Sequence, residues 1–483
     1  MRLPLQSYDL ENPASTSSLV NCYVESLPED ARAPYLLKRA PGVTSITTNN
    51  AKIRRLLFFE AIQRLAIIID LNGINATTTT GIQLGKLGQN DTTISTFGSF
   101  SSASEVLDVD QNADTLVVIA DDGAWTTTGS TATQISDADF TSRGAHDVEF
   151  LDNFLLFREP NSGRFFGADI GSATSYDALN FSTAEASPDR LTGMKSDDAQ
   201  LILFGRTTTE IWDTTGGRGF PFRRVINGAI EKGCINGRTV ALIDNRIIWV
   251  ADDKTVRLLD GLTPVRISNY GIEKKIAADP LIHVSTEAFT YNFGGHNFYV
   301  LKGQDYCVVY DLNTGQWHER KSNGIDTWRF GCAASAWGET FFGMDIGTHV
   351  TPSVAFQHHI GKMSDTEYTE CADTQVMEWT YQPVWGGGQR IFHDRLEIVM
   401  ETGVGTVSGQ GSTPEIMLDI SDDGGYTWQA MPNRDIGQIG KKLHRVVWQN
   451  LGSSYQRVYR CRISDPVPVT ITDTLLQAKG GRV

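Results

Sequence analysis

The residues best suited to specific local chemistry form one octapeptide that runs from Ser421 to Trp428 with the sequence SDDGGYTW. It fits the pattern S-x-D-x-G-x-T-W, which is the Asp-box, at every fixed position. The carboxylate of Asp423 can accept hydrogen bonds from turn amides, and Gly425 can adopt a backbone conformation closed to other residues. The Trp428 ring can cover the base of the hairpin. The motif therefore predicts a structural hairpin turn built by Ser421, Asp423, Gly425, Thr427 and Trp428.

Signatures of catalysis are missing from the rest of the sequence. Asp-boxes are familiar from sialidases, where they recur on several blades, but this chain has a single copy. There is no G-x-S-x-G, no G-x-G-x-x-G and no H-E-x-x-H. Residues 81–86 are one residue short of a phosphate-binding loop and lack its Ser or Thr. We therefore predict no catalytic residues and no enzyme activity.

Metal-binding and cofactor-binding patterns are also missing. The six cysteines lie at least 25 positions apart, so there is no C-x-x-C pair for a zinc or redox site. They are expected to be free thiols in a reducing compartment. His358 and His359 are adjacent, so in a strand they would point to opposite faces, and a solvated loop is the expected setting. The sequence predicts no metal and no cofactor.

The charge balance argues against a protein that binds nucleic acid tightly through phosphate contacts. Lys plus Arg is 42 and Asp plus Glu is 57, which gives a net charge of −15. Phosphate neutralisation needs a basic surface. The basic clusters at 52–55, 218–224 and 441–442 are small and are expected to be subunit contacts or solvated loops. We expect neither a membrane-spanning segment nor a secretory signal, because no apolar run has the required length.

Short apolar runs recur along the middle of the chain and predict a β-propeller. Their second residues lie at positions 67, 117, 155, 202, 248, 299 and 342, which are 38–51 residues apart. Turns rich in Asn, Asp and Gly separate further strands within each unit, as tight hairpins require. This spacing is typical of propeller blades, and it predicts six or seven four-stranded sheets. A β-sandwich array or a β-solenoid is the alternative, although solenoid repeats are shorter.

The two ends of the chain fall outside this repeat. Residues 1–45 carry five prolines and are expected to form an extended N-terminal docking arm, followed by the propeller at 46–350. Residues 351–483 contain longer runs of alternating polar and apolar residues, which predict an antiparallel β-sandwich-like domain that includes the Asp-box. The predicted fold class is all-β throughout.

Both ends resemble the packaged-DNA stabilisation proteins of short-tailed phages, which are tail hub or nozzle components. At the N-terminus the matching sequences are NCYVE at 21–25 and LLKRAPG at 36–42. At the C-terminus they are WQNLGSS at 448–454, RVYR at 457–460 and SDPV at 464–467. Roughly 90 residues in these opening and closing motifs carry the resemblance. The middle of the chain agrees with the family only through its propeller-like repeat.

The resemblance implies a structural virion protein that works mechanically. It implies a homo-oligomeric ring, a homohexamer, that docks below the portal and adaptor ring, with a tail needle, plug or fibre proteins below it. The ring would retain packaged DNA, let it pass without tight binding and form part of the channel for genome ejection during viral entry. The protein would reside in the phage tail of the virion, and in the host cytoplasm during assembly. The assembly contacts it implies are Asn21, Tyr23, Glu25, Arg39, Pro41 and Gly42.

Two other functions stay open at this stage. One is a sialidase-like propeller that binds or hydrolyses glycans, and the other is a propeller interaction module unrelated to phage.

Overall fold

A computed structural model describes residues 2–3, 17–71, 81–102, 105–216, 219–346 and 357–481. Within these ranges the chain is almost entirely strand and turn. The helical segments in them are short; they are the α-helices Ala138–Thr141 and Tyr270–Ala278 and the 3-10 turns Glu60–Ile62 and Gly237–Thr239.

Seven four-stranded antiparallel units follow one another, and we number them blades 1 to 7. Blades 1 to 3 consist of Lys52–Phe59, Arg64–Asp70, Ile82–Leu87 and Ser95–Phe100; Val106–Gln111, Leu116–Ala120, Gly123–Thr127 and Thr133–Gln134; and Asp147–Leu151, Phe154–Arg158, Arg164–Ala168 and Tyr176–Thr183. Blades 4 and 5 consist of Leu191–Asp197, Gln200–Gly205, Thr209–Thr214 and Phe222–Ile230; and Ala241–Ile243, Arg246–Val250, Val256–Asp260 and Thr263–Arg266. Blade 6 consists of Glu287–Phe293, His296–Lys302, Cys307–Asp311 and Gln316–Glu319, and blade 7 of Phe330–Ala336, Glu339–Met344, His358–Ser364 and Gly42–Asn49.

The seven blades form a closed ring. The first strand of each blade contacts the first strands of its two neighbours, and blade 7 returns to blade 1 through Phe330–Ala336 and Lys52–Phe59. Each of the seven apolar runs found in the sequence lies on the second strand of a blade. These strands are buried on both faces because neighbouring blades cover them. The predicted β-propeller is therefore confirmed, and it has seven blades.

Blade 7 is completed by the N-terminal part of the chain. Its outer strand, Gly42–Asn49, pairs antiparallel with His358–Ser364, and Val43 is fully buried in the pairing. The short strands Thr369–Glu370 and Asp373–Thr374 extend the same sheet. The expected boundary at residue 45 falls inside this closing strand.

The remaining strands build the predicted β-sandwich, which is confirmed. One sheet contains Met377–Thr380, Val384–Trp385, Glu415–Ser421, Gln429–Ala430, Arg434–Asp435 and Gln456–Ile463. The other contains Cys22–Ser26, Tyr35–Arg39, Ile391–Met400, Val446–Gln449, Ser453–Ser454 and Thr470–Gly480. Their shared core is rich in buried aromatic side chains, among them Trp379, Tyr381, Trp448 and Tyr459.

A single short strand joins the sandwich to the propeller. Ser18–Val20 pairs antiparallel with Met377–Thr380 of the sandwich. Its residue Val20 also pairs in parallel with Glu319 at the edge of blade 6, so the two domains share one sheet. Residues 18–49 therefore belong to three sheets of their own chain. Pro4 and Pro13, which contributed to the docking-arm prediction, lie outside the described residues.

We predict that the closing strand contributes strongly to stability. Val43→Ala should lower the free energy of unfolding by about 1–3 kcal/mol, because it removes buried methyl groups and leaves a cavity. Thr44→Ala, one residue on and exposed, should change it by less than about 0.5 kcal/mol. Urea denaturation of both variants measures the difference, and equal effects would contradict the assigned closure.

Candidate functional site

The residues that the sequence analysis named as assembly contacts meet at the junction between propeller and sandwich. Asn21 sits in the left-handed region, with φ of 53°, and is buried. Its amide nitrogen donates to the carbonyl oxygens of Lys321 and Val376, both at 2.8 Å, and its side-chain oxygen accepts the Lys321 N–H at 3.1 Å. One side chain therefore links the segment that follows blade 6 to the segment that precedes strand Met377–Thr380.

Arg39, Pro41 and Gly42 continue this junction. The buried Arg39 guanidinium donates to the Val467 carbonyl at 3.2 Å and also bonds the carbonyls of Asp465 and Gln375. A Cβ on Gly42 would lie 2.5 Å from a backbone carbonyl oxygen of blade 7, so the chain passes too closely for any larger residue.

A buried arginine that the sequence reasoning missed holds the other side of the junction. The Arg320 guanidinium donates to the Pro41 carbonyl at 3.3 and 3.4 Å and lies over the Trp328 ring at 4.5 Å. Glu370 lies 3.8 Å from this guanidinium and accepts the Trp328 indole N–H at 2.8 Å. Burial raises the pKa of Glu370, although Arg320 opposes the shift. A lone arginine after a strand carries no sequence signal for such a role.

Glu25 and Tyr23 contact a buried histidine of blade 6. His296 places Nδ1 2.7 Å from an Asp311 carboxylate oxygen and Nε2 3.2 Å from a Glu25 carboxylate oxygen. Tyr23 packs edge-on against the imidazole, and Lys38 pairs with Glu25 at 2.9 Å. Burial alone would lower the pKa of His296, but the hydrogen bonds to Asp311 and Glu25 outweigh it and raise that pKa. Both ring nitrogens then donate, which requires the imidazolium form.

All six named residues thus have partners within their own chain, and five of them are buried. Their part in assembly stays a prediction. Any such part would be indirect, through the junction that they hold rather than through an exposed surface.

Ion pairs between non-adjacent blades cross the centre of the propeller. Arg55 of blade 1 donates to Glu287 of blade 6 at 2.7 Å and to the Leu107 carbonyl of blade 2 at 3.1 Å. Arg238, which precedes blade 5, reaches the same Glu287 at 3.2 Å and Glu105 at 3.6 Å. These side chains span the centre of the ring and tie four blades together.

A second charged group links blades 2, 3 and 4. Lys195 of blade 4 pairs with Glu149 of blade 3 at 2.5 Å. Asp108 and Asp110 of blade 2 accept N–H bonds from the first strand of blade 3 at 3.0 and 2.7 Å. Burial and the nearby Glu149 carboxylate raise the pKa of both aspartates to about 7, against the opposing effect of Lys195.

Two polar cavities lie beside these networks, with volumes of about 840 and 440 Å³. Glu105 lines both of them. In the part of the chain that the structure describes, no group of three His, Cys, Asp or Glu side chains is arranged to hold a metal ion.

The Asp-box forms a hydrogen-bonded hairpin turn at the end of strand Glu415–Ser421. The Asp423 carboxylate accepts the Thr427 N–H at 2.9 Å and the Thr427 hydroxyl at 2.6 Å. The Ser421 hydroxyl accepts the Gly425 N–H at 2.8 Å, and Gly425 has a φ of 101°. The hydrogen bonds to Thr427 and Ser421 lower the pKa of the Asp423 carboxyl.

The ring of the Asp-box tryptophan packs against its neighbouring strand. The Arg460 guanidinium lies over Trp428 at 4.0 Å. Strand Glu415–Ser421 starts beside Asp465, whose carboxylate accepts the Glu415 N–H at 2.9 Å, and Asp465 belongs to the junction through Arg39. The strand therefore separates the Asp-box from the junction by its whole length, and the structure does not bring the two groups of residues together.

The adjacent histidines differ from expectation. They lie in strand His358–Ser364 rather than in a solvated loop. His358 is buried, and burial lowers its pKa to about 4, while His359 Nδ1 lies 2.8 Å from the Ser45 hydroxyl. Pairing with the N-terminal closing strand, which the sequence could not predict, explains the difference.

Comparison with models of protein families shows which family the chain belongs to. A family model described as Bacteriophage P22 Gp10, beta-propeller, matches residues 16–330, which is more than half of the chain. A second model, Bacteriophage P22 Gp10, beta-sandwich, matches residues 380–479. The chain belongs to the Bacteriophage P22 Gp10 family. The resemblance to packaged-DNA stabilisation proteins of short-tailed phages is thereby confirmed, and this member of the Gp10 family is a structural phage tail protein.

Other comparisons add little to this assignment. A search of curated proteins found no match. The computationally designed Ika8 protein is 14% identical and covers 66% of this chain and 100% of its own, with a TM-score of 0.38. A complex of S. cerevisiae Dbp5 with Nup159, Gle1, IP6 and ADP contains a chain that is 8% identical, with 72% and 99% covered and a TM-score of 0.41. Neither likeness is close enough to support an argument.

No helix among the described residues is long and apolar enough to cross a bilayer.

We predict a local role for Asp423. Asp423→Ala should speed amide hydrogen exchange at Thr427 several-fold, because the carboxylate bonds that hold the turn are lost. Asp423→Asn, which keeps one acceptor oxygen, should show a smaller increase. Exchange measured by NMR or mass spectrometry checks this, and unchanged exchange at Thr427 in the alanine variant would show that the turn does not need the carboxylate.

A pH dependence follows from His296 and its two carboxylate partners. Because the folded-state pKa of His296 is raised, its stabilisation is full below about pH 6.5 and is lost as the pH rises through that folded-state value. The pKa of Glu25 is lowered by Lys38 and His296 despite partial burial, so its contribution is lost as the pH falls below about 4.3. The neighbouring His318 stays neutral, since burial lowers its pKa to about 3.

The measurement is denaturant unfolding between pH 5 and 9. The parent should lose stability on the alkaline side, and His296→Gln should lack that part of the loss. His359→Gln, whose parent histidine has a lowered pKa, is the matched control. A parent curve parallel to that of His296→Gln would contradict the assigned imidazolium.

Proposed function

We propose that the chain forms a homo-oligomeric ring in the phage tail, which docks below the portal and adaptor, retains packaged DNA and contributes to the channel for its ejection. Membership of the P22 Gp10 family is the observation that carries this proposal. Six copies, as the resemblance implies, would surround a central channel. Needle, plug or fibre proteins would close the ring from below.

The ion pairs that cross the propeller centre support a channel between subunits rather than through one of them. The Arg55–Glu287 and Arg238–Glu287 pairs cross the centre of the ring of blades. A duplex could pass there only by separating these partly buried charge pairs, which would leave each charge without its partner. The DNA path therefore has to be formed by the faces that several copies turn towards one another.

The net charge supports transit without tight binding. Each copy carries −15, so six copies would carry about −90. Such a surface repels phosphates over roughly 10 Å at 0.1 M salt. Closure of the channel would then be steric, made by loops or by a partner plug.

We also propose that the chain has no catalytic function. Its single Asp-box is a hairpin turn whose carboxylate is occupied by Ser421 and Thr427. Release of sugar from sialosides by the purified protein would contradict this part of the proposal.

The test of function is the fate of packaged DNA. Particles assembled without this protein should package DNA and then lose it, which nuclease protection and plaque counts measure. Complementation with the parent chain should restore retention. Particles that lack the protein and still keep their DNA and infect normally would contradict the proposal.

The isolated chain should bind duplex DNA weakly. We expect a Kd weaker than about 1 µM at physiological salt, within the usual non-specific range. Tight binding that falls steeply with salt would contradict the repulsive channel, while leaving the retention role to be decided by the particles.

A further inference from the structure

Two loops of the sandwich, residues 402–413 and 437–445, form one preformed surface that we call the basic tip. The Gly440 N–H donates to the Gly403 carbonyl at 3.2 Å, and the Thr402 hydroxyl donates to the Lys442 carbonyl at 3.0 Å. Gly403 has a φ of 69°, and a Cβ there would lie 2.7 Å from the Lys441 nitrogen. The loops therefore pack against each other at a distance that only glycine allows, which favours a defined surface.

The basic tip exposes three aliphatic side chains. Leu443 is 96% exposed, Val407 is 85% exposed and Ile439 is 58% exposed. Single exposed apolar residues are common on protein surfaces. Three of them lie on two loops that are hydrogen-bonded to each other, and a concentration of exposed apolar side chains is typical of a contact site.

The charge of the basic tip is opposite to that of the chain. Its two loops contain Lys441, Lys442 and Arg445 and no Asp or Glu, so they carry +3, and the rest of the chain carries −15 − 3 = −18. Lys442 pairs with Glu401 at 3.2 Å and Arg445 pairs with Glu397 at 2.7 Å. Lys441 forms no ion pair within the residues that the structure describes.

These features fit a protein partner better than a polyanion. Binding to phosphates would use several free cations, and stacking on bases would use aromatic rings, but the tip offers one unpaired lysine among aliphatic side chains. Protein interfaces combine an apolar centre with a polar rim, and the tip supplies both kinds of side chain. The acidic remainder of a second copy, with a net charge of −18, complements the one unpaired lysine of the tip.

We propose that the basic tip docks on an acidic surface of a second copy of this chain. The contact is heterologous, because it joins two different surfaces, and repeated contacts of that kind form a ring when the rotation between copies closes. The inference rests on the ring in the proposed function, and it assigns the part of each subunit that reaches its neighbour.

The first test is assembly of the full chain measured by light scattering and native mass spectrometry over a range of concentrations. Leu443→Asp should raise the concentration needed for half-assembly at least about tenfold, since it places a charge in the apolar centre. Ile226→Asp is the matched control, because Ile226 is 88% exposed on the outer strand of blade 4. It should assemble like the parent, and the high exposure of both residues should leave thermal unfolding unchanged.

The second test identifies the partner surface. A carbodiimide joins amines directly to carboxylates, so a mixture of isotopically light and heavy parent chains should give links from Lys441 to Asp or Glu of the other copy. Lys441→Gln should remove those links, weaken assembly at low salt and make it less sensitive to salt, because it removes one attractive charge.

The outcomes separate this inference from the proposed function. If Leu443→Asp assembles like the parent, or if the tip variants lose binding to anionic vesicles or DNA instead, the inference is wrong while the ring stands. If the parent forms no oligomer, both the ring and the inference fail. If rings form through the tip but particles without the protein keep their DNA, the inference stands and the retention role fails.

Discussion

Closure of the propeller depends on one antiparallel pairing between distant parts of the chain. Strand Gly42–Asn49 pairs with His358–Ser364, and 358 − 49 = 309 positions separate the paired residues His358 and Asn49. Blade 7 would have an open edge without it, since its first three strands come from the C-terminal side of the ring. The same N-terminal segment then supplies Ser18–Val20 to the shared sheet and two strands to the sandwich. Ring closure and attachment of the sandwich are thus one structural event.

The repeat and its fold class could be predicted because they depend on local patterns. Each apolar run is covered on both faces by adjacent blades, so its residues are uniformly apolar and easy to recognise. The Asp-box could also be predicted, because its hydrogen bonds join residues within eight positions of one another. Such short-range features can be recognised from residues that are close together in the sequence.

The junction could not be predicted in the same way. Asn21, Arg39 and Arg320 find their partners roughly 280 to 430 positions away in the chain. Nothing in the flanking sequence distinguishes a buried arginine from a solvated one, because burial is set by the strands that fold over it. For the same reason the prolines of residues 1–45 predict an extended arm, whereas most of the described residues in that segment lie in strands of three sheets.

The order in which these strands leave the ribosome has a consequence for folding. The closing strand is synthesised first, yet its partner follows more than 300 residues later, which at 5–20 residues per second is a delay of roughly 15 to 65 s. During that interval the buried face and the pairing edge of Gly42–Asn49 have no native partner. The nascent chain therefore carries an unpaired strand edge for most of its synthesis. Nascent chains on neighbouring ribosomes of one mRNA can pair through such edges and misfold. Infected cells that make this protein quickly face that hazard before any virion is built.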